Sequence, residues 1–586
     1  MNQPRSHREL SALVEELAEL AKNAPGRLAE RVGSLSIREQ AELALRLPAP
    51  ERLELLLHAP KPMRLVRALP DSEFYMTVRE LGPADALPMV ALSSAAQIHH
   101  LLDLESWRRD RFDADRSGAW IAFLLEAGEP TIRRFLRTAD DELLSLLFQR
   151  WIRIREIESE DGHASPGPGP TETGDERGFV SPDGQYLLRP TIAEHAPAVQ
   201  RLTQLFYRDE PQRYQQVLWA AAMQMPSELE EQALHWRQSR LEEHGFPPWE
   251  DAISIYAPPA GLVDHPRPPE PSDPDGLAAP RSPLGLLAAT DRLARAVEGL
   301  SAEKQDHVLH EMVSLGNRLL VADGVDTGDP AYHRAALKTA AGYVAIAVEA
   351  RGGDRAGVAQ LLEELPLIEL FREGYARAVE LQTRARALTK EGWPAAHPRA
   401  LELLDSPIRE RVTSLLELRP LYFEVGNEEQ PGGPRPFRLP QELEETRVAL
   451  EMAELVGGLM VGRLKLDVAR ATALDGVPLR FSGYMLTTLA WHATRSTLRT
   501  APLPADAVSD FLRNVASRRT APPEAPARAL DALTGELVET FDLSAREVAL
   551  WQAFGRAALE RLNSECAALD PGVPVDSRFI SCLLVE

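Results

Sequence analysis

Residues 228–256 read ELEEQALHWRQSRLEEHGFPPWEDAISIY, the densest run of chemically capable side chains in the sequence. Glu231, His235 and Ser239 recur at i, i+4 and i+8, so a helix presents them on one face, while Arg237 and Arg240 share another. A glutamate and a histidine one turn apart could ligate a metal ion, and two planar guanidinium groups could hold an anionic ligand. The metal set is incomplete, because such sites take three or four protein ligands, and no metal is expected. The ligand-binding candidates are therefore Glu231, His235, Arg237 and Arg240, as the centre of an enzyme or of an anionic-ligand sensor. The plainer alternative is an exposed helix with intrahelical ion pairs, capped by Gly245 and stopped by Pro247 and Pro248.

His307, His310 and Glu311 return to one side of a second helix. Their order, HVLHE, is neither HExxH nor the Glu-x-x-His pairing of a di-iron bundle, so a surface helix is expected. Asn317 and Asp323 suit hydrogen bonds to helix ends. Trp107, Arg108 and Arg109 could form a partner-binding spot, since tryptophan and arginine dominate such contacts. Alternatively Trp107 packs the end of a helical stack and the arginines pair with Asp110 and Asp113. The sequence contains no Walker A loop, no GxGxxG after a strand, no GxSxG elbow and no zinc quartet. Its pattern names no catalytic residue and no cofactor.

The elements that must position these residues are mostly helices. Over residues 36–105 short units follow one another, SIREQAELALRLP, APERLELLLHAP, KPMRLVRALP, DSEFYMTVRELG, PADALPMVALS and SAAQIHHLLDLE. Leu53, Leu56 and Leu57 share a helical side, as do Leu65, Val66 and Leu69. Pro48, Pro60 and Pro70 close successive units, and Asp71 is expected to N-cap the next. Helices this short are marginal alone and must bury their apolar sides on one another, as a superhelical stack.

The predicted class is mostly α and multi-domain: an amphipathic helix within 1–35 (Leu10, Leu13, Leu17, Leu20), the superhelix over 36–157 and a linker over 158–178. A hairpin about Asp183-Gly184 with a helical block fills 179–257, a Pro-rich loop 258–283, a helical block 284–422 and a loop 423–440. A C-terminal helical block over 441–586 ends in the strand-like SRFISCLLVE, which could pair with the Phe179 hairpin.

The leucine and proline cadence of residues 36–107 resembles the cytosolic N-terminal domain of the MgtE magnesium transporters, which implies a superhelical fold and, as one alternative, divalent-cation sensing by this stack. HWRQSRLEEHGFPPWEDAISIYAP, with LLDLESWRRDRFD, LFREGYARAVEL and RPLYFE, is similar to an uncharacterised bacterial family of unknown function. That resemblance covers most of the chain and implies no activity, substrate or catalytic residue.

The whole chain narrows the partners. A net charge of −23 argues against a broad nucleic-acid surface. Cys566 and Cys582 are too few for a disulfide framework and lack zinc spacing, which fits a reducing cytoplasm. The N-terminus has no apolar signal region, and no apolar run approaches the ~20 residues of a membrane span, so no membrane insertion is expected. The expected function is a non-catalytic cytoplasmic scaffold or regulator that binds another protein through helical surfaces.

Overall fold

The computed structural model describes residues 7–108, 110–157, 178–258, 291–325, 329–352, 355–426, 431–472, 479–517, 520–566 and 580–586. The protein is mostly α, with three small antiparallel sheets among the described residues. It divides into two compact units, residues 1–372 and 373–586. No helix of the described residues is long and apolar enough to cross a membrane. The linker over 158–178 and the Pro-rich loop over 258–283 fall almost wholly outside the described residues.

The first unit opens with α1 (His7–Asn23), followed by the short helices α2 (Leu28–Val32), α3 (Ile37–Ala44), α4 (Ala49–His58) and α5 (Pro62–Arg67). Next come α6 (Asp71–Leu81), α7 (Pro83–Ala91) and α8 (Ala95–Glu105). Ser36 and Ser94 start α3 and α8 with capping boxes completed by Glu39 and Gln97. Asp71 does not cap: Pro70 holds the cap position of α6, and Asp71 is its first helical residue.

Helices this short end inside the protein, leaving carbonyls that need donors. Buried side chains from later helices supply them. Gln40 Nε2 donates to Val32 O and Leu35 O at 3.1 and 2.9 Å, closing α2. Arg52 donates to Ala44 O, Leu45 O and Leu47 O beyond α3, and to Thr77 Oγ1 at 2.7 Å. Gln97 Nε2 reaches Val66 O and Leu69 O beyond α5 at 2.8 and 3.0 Å. The apolar partners of this stack, including Leu55, Leu65, Phe74, Val78 and Leu101, are buried in one core that continues to Phe246 and Leu320.

After α8 the ribbon β1 (Trp107–Arg108) and β2 (Arg111–Phe112) leads into α9 (Ala114–Glu126), α10 (Glu129–Thr138) and α11 (Asp141–Trp151). The expected Asp183-Gly184 hairpin is present as β4 (Phe179–Val180) and β5 (Tyr186–Pro190), with Gly184 at φ +74°. A third strand, β3 (Ile152–Glu156), pairs along β5. The helical stack expected over 36–157 thus ends at Trp151, where the alternating Ile-Arg-Ile-Arg turns to strand. The chain continues as α12 (Ala196–Asp209), α13 (Pro211–Met223), α14 (Pro226–Glu243) and α15 (Trp249–Ile253), with α11 packed against both α13 and α14. The Ala302–Asp323 and Pro330–Arg351 helices pack together in the same unit.

In the second unit the Phe481–Arg495 helix packs on the Ala545–Cys566 helix, and β6 (Tyr422–Glu424) pairs with β7 (Gly433–Arg435). The Pro440–Gly457 helix runs into a π-helical turn, Gly458–Arg463. A Cβ on Gly457 would lie 2.1 Å from the Trp393 ring, so that position requires glycine. Within this unit the C-terminal segment is held by Val585, which bridges Leu503, and by Leu584 N, which donates to Thr487 Oγ1 at 2.9 Å.

Candidate functional site

Helix α14 carries the four predicted ligand-binding residues, and packing divides them. Its inward stripe is Leu229, Ala233, Arg237 and Leu241, while Glu231 and His235 are exposed. Repeats of four place Arg237 on the buried stripe, where an arginine must find partners. Its Nε donates to Asp103 O at 2.7 Å, and its guanidinium lies 5.5 Å from the Trp107 ring centroid. Burial pushes its pKa down to about 10.

Arg240 makes the stronger attachment. Nε and Nη2 donate to Asp103 Oδ2 and Oδ1 at 2.8 and 2.9 Å, and Nη1 donates to Asp140. Burial opposes its charge, but the carboxylates of Asp103 and Asp140 outweigh burial and raise its pKa. Both arginines that could have held an external anion are thus engaged by α8 and by the residue preceding α11. The four candidates do not converge on one pocket.

The glutamate that turns inward is Glu230. Its Oε1 accepts from Phe112 N at 2.9 Å, and its Oε2 pairs with Arg150. An open groove of about 580 Å³ runs beside this pair, lined by residues including Asp110, Arg111, Phe112, Arg150, Glu230 and Glu231. Glu231 therefore borders a groove that His235 does not line. His235 instead lies edge-on to the Trp236 ring, centroids 5.6 Å apart.

Trp107 is only 3% exposed and packs with Leu146, Leu229, Ala233 and Phe112. Arg108 pairs with Asp113 at 2.7 Å, and Arg109 lies outside the described residues. Two positions before Trp107 stands a carboxylate that sequence reasoning missed. Glu105, 1% exposed, accepts from Tyr75 Oη at 2.7 Å, Arg116 Nη2 at 2.6 Å and Trp120 Nε1 at 3.1 Å, with Arg79 at 3.3 Å. Its donors come from α6 and α9, distant in sequence, so no local pattern marked it.

The second histidine cluster does not sit on a fully exposed surface helix as expected, because Glu311 is buried. His307 Nε2 lies 3.4 Å from Glu311 Oε1, and Glu311 Oε2 accepts from Leu367 N at 3.1 Å, starting the Leu367–Glu391 helix. Asn317 donates to His244 O at the end of α14, as expected of a residue that bonds helix ends, while Asp323 instead accepts from the Tyr256 hydroxyl. No group of three His, Cys, Asp or Glu among the described residues is placed to hold a metal ion.

Beside the exposed Gln212, Gln215 and Gln216, α13 and the turn after it leave three large apolar side chains outside. Trp219, Met223 and Met225 are 56, 59 and 60% exposed, the first two one helical turn apart. Gln149 Nε2 holds this corner to α11 through Ala221 O and Gln224 O, at 3.1 and 2.9 Å.

A family model described as a family of unknown function, DUF6178, matches residues 29–586. No curated protein and no solved structure matches the chain.

Proposed function

The chain belongs to this family, whose description assigns no activity, and from its geometry we propose a non-catalytic cytoplasmic scaffold or regulator that binds another protein through a helical surface. The observation that carries the reading is the exposed Trp219–Met223–Met225 corner, held on α11 by Gln149. Tryptophan and methionine are enriched at protein interfaces, and a rigid mounting lowers the ordering cost of binding. Trp107, the sequence's first choice for such a contact, is buried; Trp219 offers the same chemistry to solvent.

The test is affinity capture with the full chain, followed by identification, purification and titration of the captured protein. Trp219→Ala with Met223→Ser should weaken that binding by tenfold or more, since hot-spot aromatics contribute about 2 kcal/mol or more each. Their exposure predicts an unchanged melting temperature. A partner bound equally by the double variant removes the α13 surface from the reading.

A further inference from the structure

Three histidines meet inside the first unit, where α6, α8, the end of α14 and the Pro330–Arg351 helix come together. His100 of α8 is 2% exposed, and neither of its ring nitrogens has a hydrogen-bond partner. Its ring centroid lies 4.3 Å from that of His244, 6.1 Å from Tyr75 and 6.5 Å from Phe246. Phe246 in turn lies 6.2 Å from His333.

The turn bearing His244 is pinned. Asn317 Nδ2 donates to His244 O at 2.8 Å. Gly245, at φ +80°, approaches Ser314 so closely that a Cβ there would lie 3.2 Å from Ser314 Cα. The backbone at His244 therefore cannot move away from α8 without undoing its contact with the Ala302–Asp323 helix.

The charged groups around the cluster are largely committed elsewhere. From α6, Asp71 Oδ2 lies 3.7 Å from His244 Nε2, and Tyr75 donates its hydroxyl to Glu105. Also on α6, Glu80 pairs with Arg334, the neighbour of His333. On α8 itself Asp103 is held by Arg240, and His99 Nε2 bonds Thr138 Oγ1 at 2.8 Å. The Ala302–Asp323 helix meets the turn through the uncharged Ser314 and Asn317. Asp71 can answer a charge on His244, but no carboxylate among the described residues bonds His100.

We propose that His100, His244 and His333 form a proton-responsive joint: the closed cluster keeps a proton off His100, and on mild acidification the opened form that accepts it gains population, as the end of α14 and the Pro330–Arg351 helix loosen from α6 and α8. Burial, reinforced by the charges that His244 and His333 can carry, holds His100 well below the usual histidine range. The loosened state, with a histidine near its ordinary value of about 6.5, takes the proton more readily. The stabilisation is complete above that value and is lost as pH falls below it. One proton excluded in this way raises the opening equilibrium about tenfold between pH 7.5 and pH 5.5. The joint lies apart from the α13 surface and does not depend on a partner binding there.

Hydrogen exchange of the full chain at the two pH values, corrected for intrinsic exchange rates, tests this. Peptides covering residues 95–105, 240–246 and 330–340 should open about tenfold more at pH 5.5, and His100→Leu should abolish that difference. If His100→Leu does not fold, the half-buried His333→Gln should reduce the difference. Equal protection at both pH values, or the full change retained in a folded variant, overturns the proposal.

Discussion

Arg240 lays its guanidinium along the carboxylate of Asp103, Nε to Oδ2 at 2.8 Å and Nη2 to Oδ1 at 2.9 Å, joining α14 to α8. A fork that could have bound an external anion is spent inside the protein. Arg240→Leu leaves the buried Asp103 carboxylate without this partner and should cost about 3–5 kcal/mol. Arg240→Lys keeps the charge without the two-pronged geometry and should cost less. Adding Asp103→Asn to Arg240→Leu should lose less than the two single changes summed, in thermal melts of the four chains. Additive losses would mean that the two residues act separately.

The side-chain caps of the short-helix stack carry a second prediction. Arg52→Met keeps much of the side-chain volume but strips donors from Ala44 O, Leu45 O and Leu47 O. Gln97→Leu does the same at Val66 O and Leu69 O. Ala44 O and Val66 O keep the backbone donors Leu47 N and Leu69 N, so the loss falls on Leu45 O and Leu47 O in one variant and on Leu69 O in the other. Each unsatisfied buried carbonyl costs about 1–3 kcal/mol, so each variant should melt lower, with the loss of protection concentrated at the ends of α3 or α5. Surface positions such as Arg38, paired only with Glu42 one turn away, should tolerate alanine within about 0.5 kcal/mol.

The helical class and much of the stack's apolar side were legible because leucine spacing is local: Leu56, Leu65, Val66 and Leu69 are buried as the 3.6-residue period requires, but Leu53 and Leu57 are half-buried and Leu55 takes a core position instead. The Phe179 hairpin was legible for the same reason, through Asp183-Gly184. Its partner β3 was not, since pairing Ile152 with Pro190 spans a long stretch of chain. The candidate site illustrates the limit. Sequence found α14 and its two arginine positions, but whether an arginine meets a ligand or Asp103 depends on a contact 137 residues away. Glu230 and Glu231 are adjacent and identical in type, and only the placement of Arg150 and Phe112 N distinguishes them.

In the second unit Asp405 accepts from Ser482 N at 2.9 Å and from Ser482 Oγ. Burial raises its pKa, with those hydrogen bonds acting in the opposite sense. The folded state therefore holds this proton to higher pH than the unfolded state. Its contribution is full below the unfolded value of about 3.9 and is lost as pH rises through the folded value. Asp405→Asn removes that loss. Urea unfolding of the second unit's signal should show the variant gaining on the parent as pH climbs from about 4 toward neutrality; a difference that stays constant with pH would assign the effect to hydrogen bonding alone.

Cys566 and Cys582, too few for a framework, are nevertheless neighbours: their buried sulfurs lie 3.7 Å apart. The hydrogen bond between them lowers the pKa of the Cys566 thiol and raises that of Cys582, which makes Cys566 the readier thiolate. With diamide as oxidant, the two thiols give up two electrons and two protons to its N=N bond and join as a disulfide, leaving the hydrazine. The bond would tie the Ala545–Cys566 helix to the C-terminal segment that bridges Leu503. After diamide treatment of the native chain, denaturation and N-ethylmaleimide labelling, the intact mass should show no adduct, and Cys566→Ser should restore one adduct, on Cys582. Burial of both sulfurs slows the first step, so the reaction should accelerate in urea below the unfolding transition, where local opening admits the oxidant. Two adducts on the fully treated parent chain would show that the thiols do not reach each other.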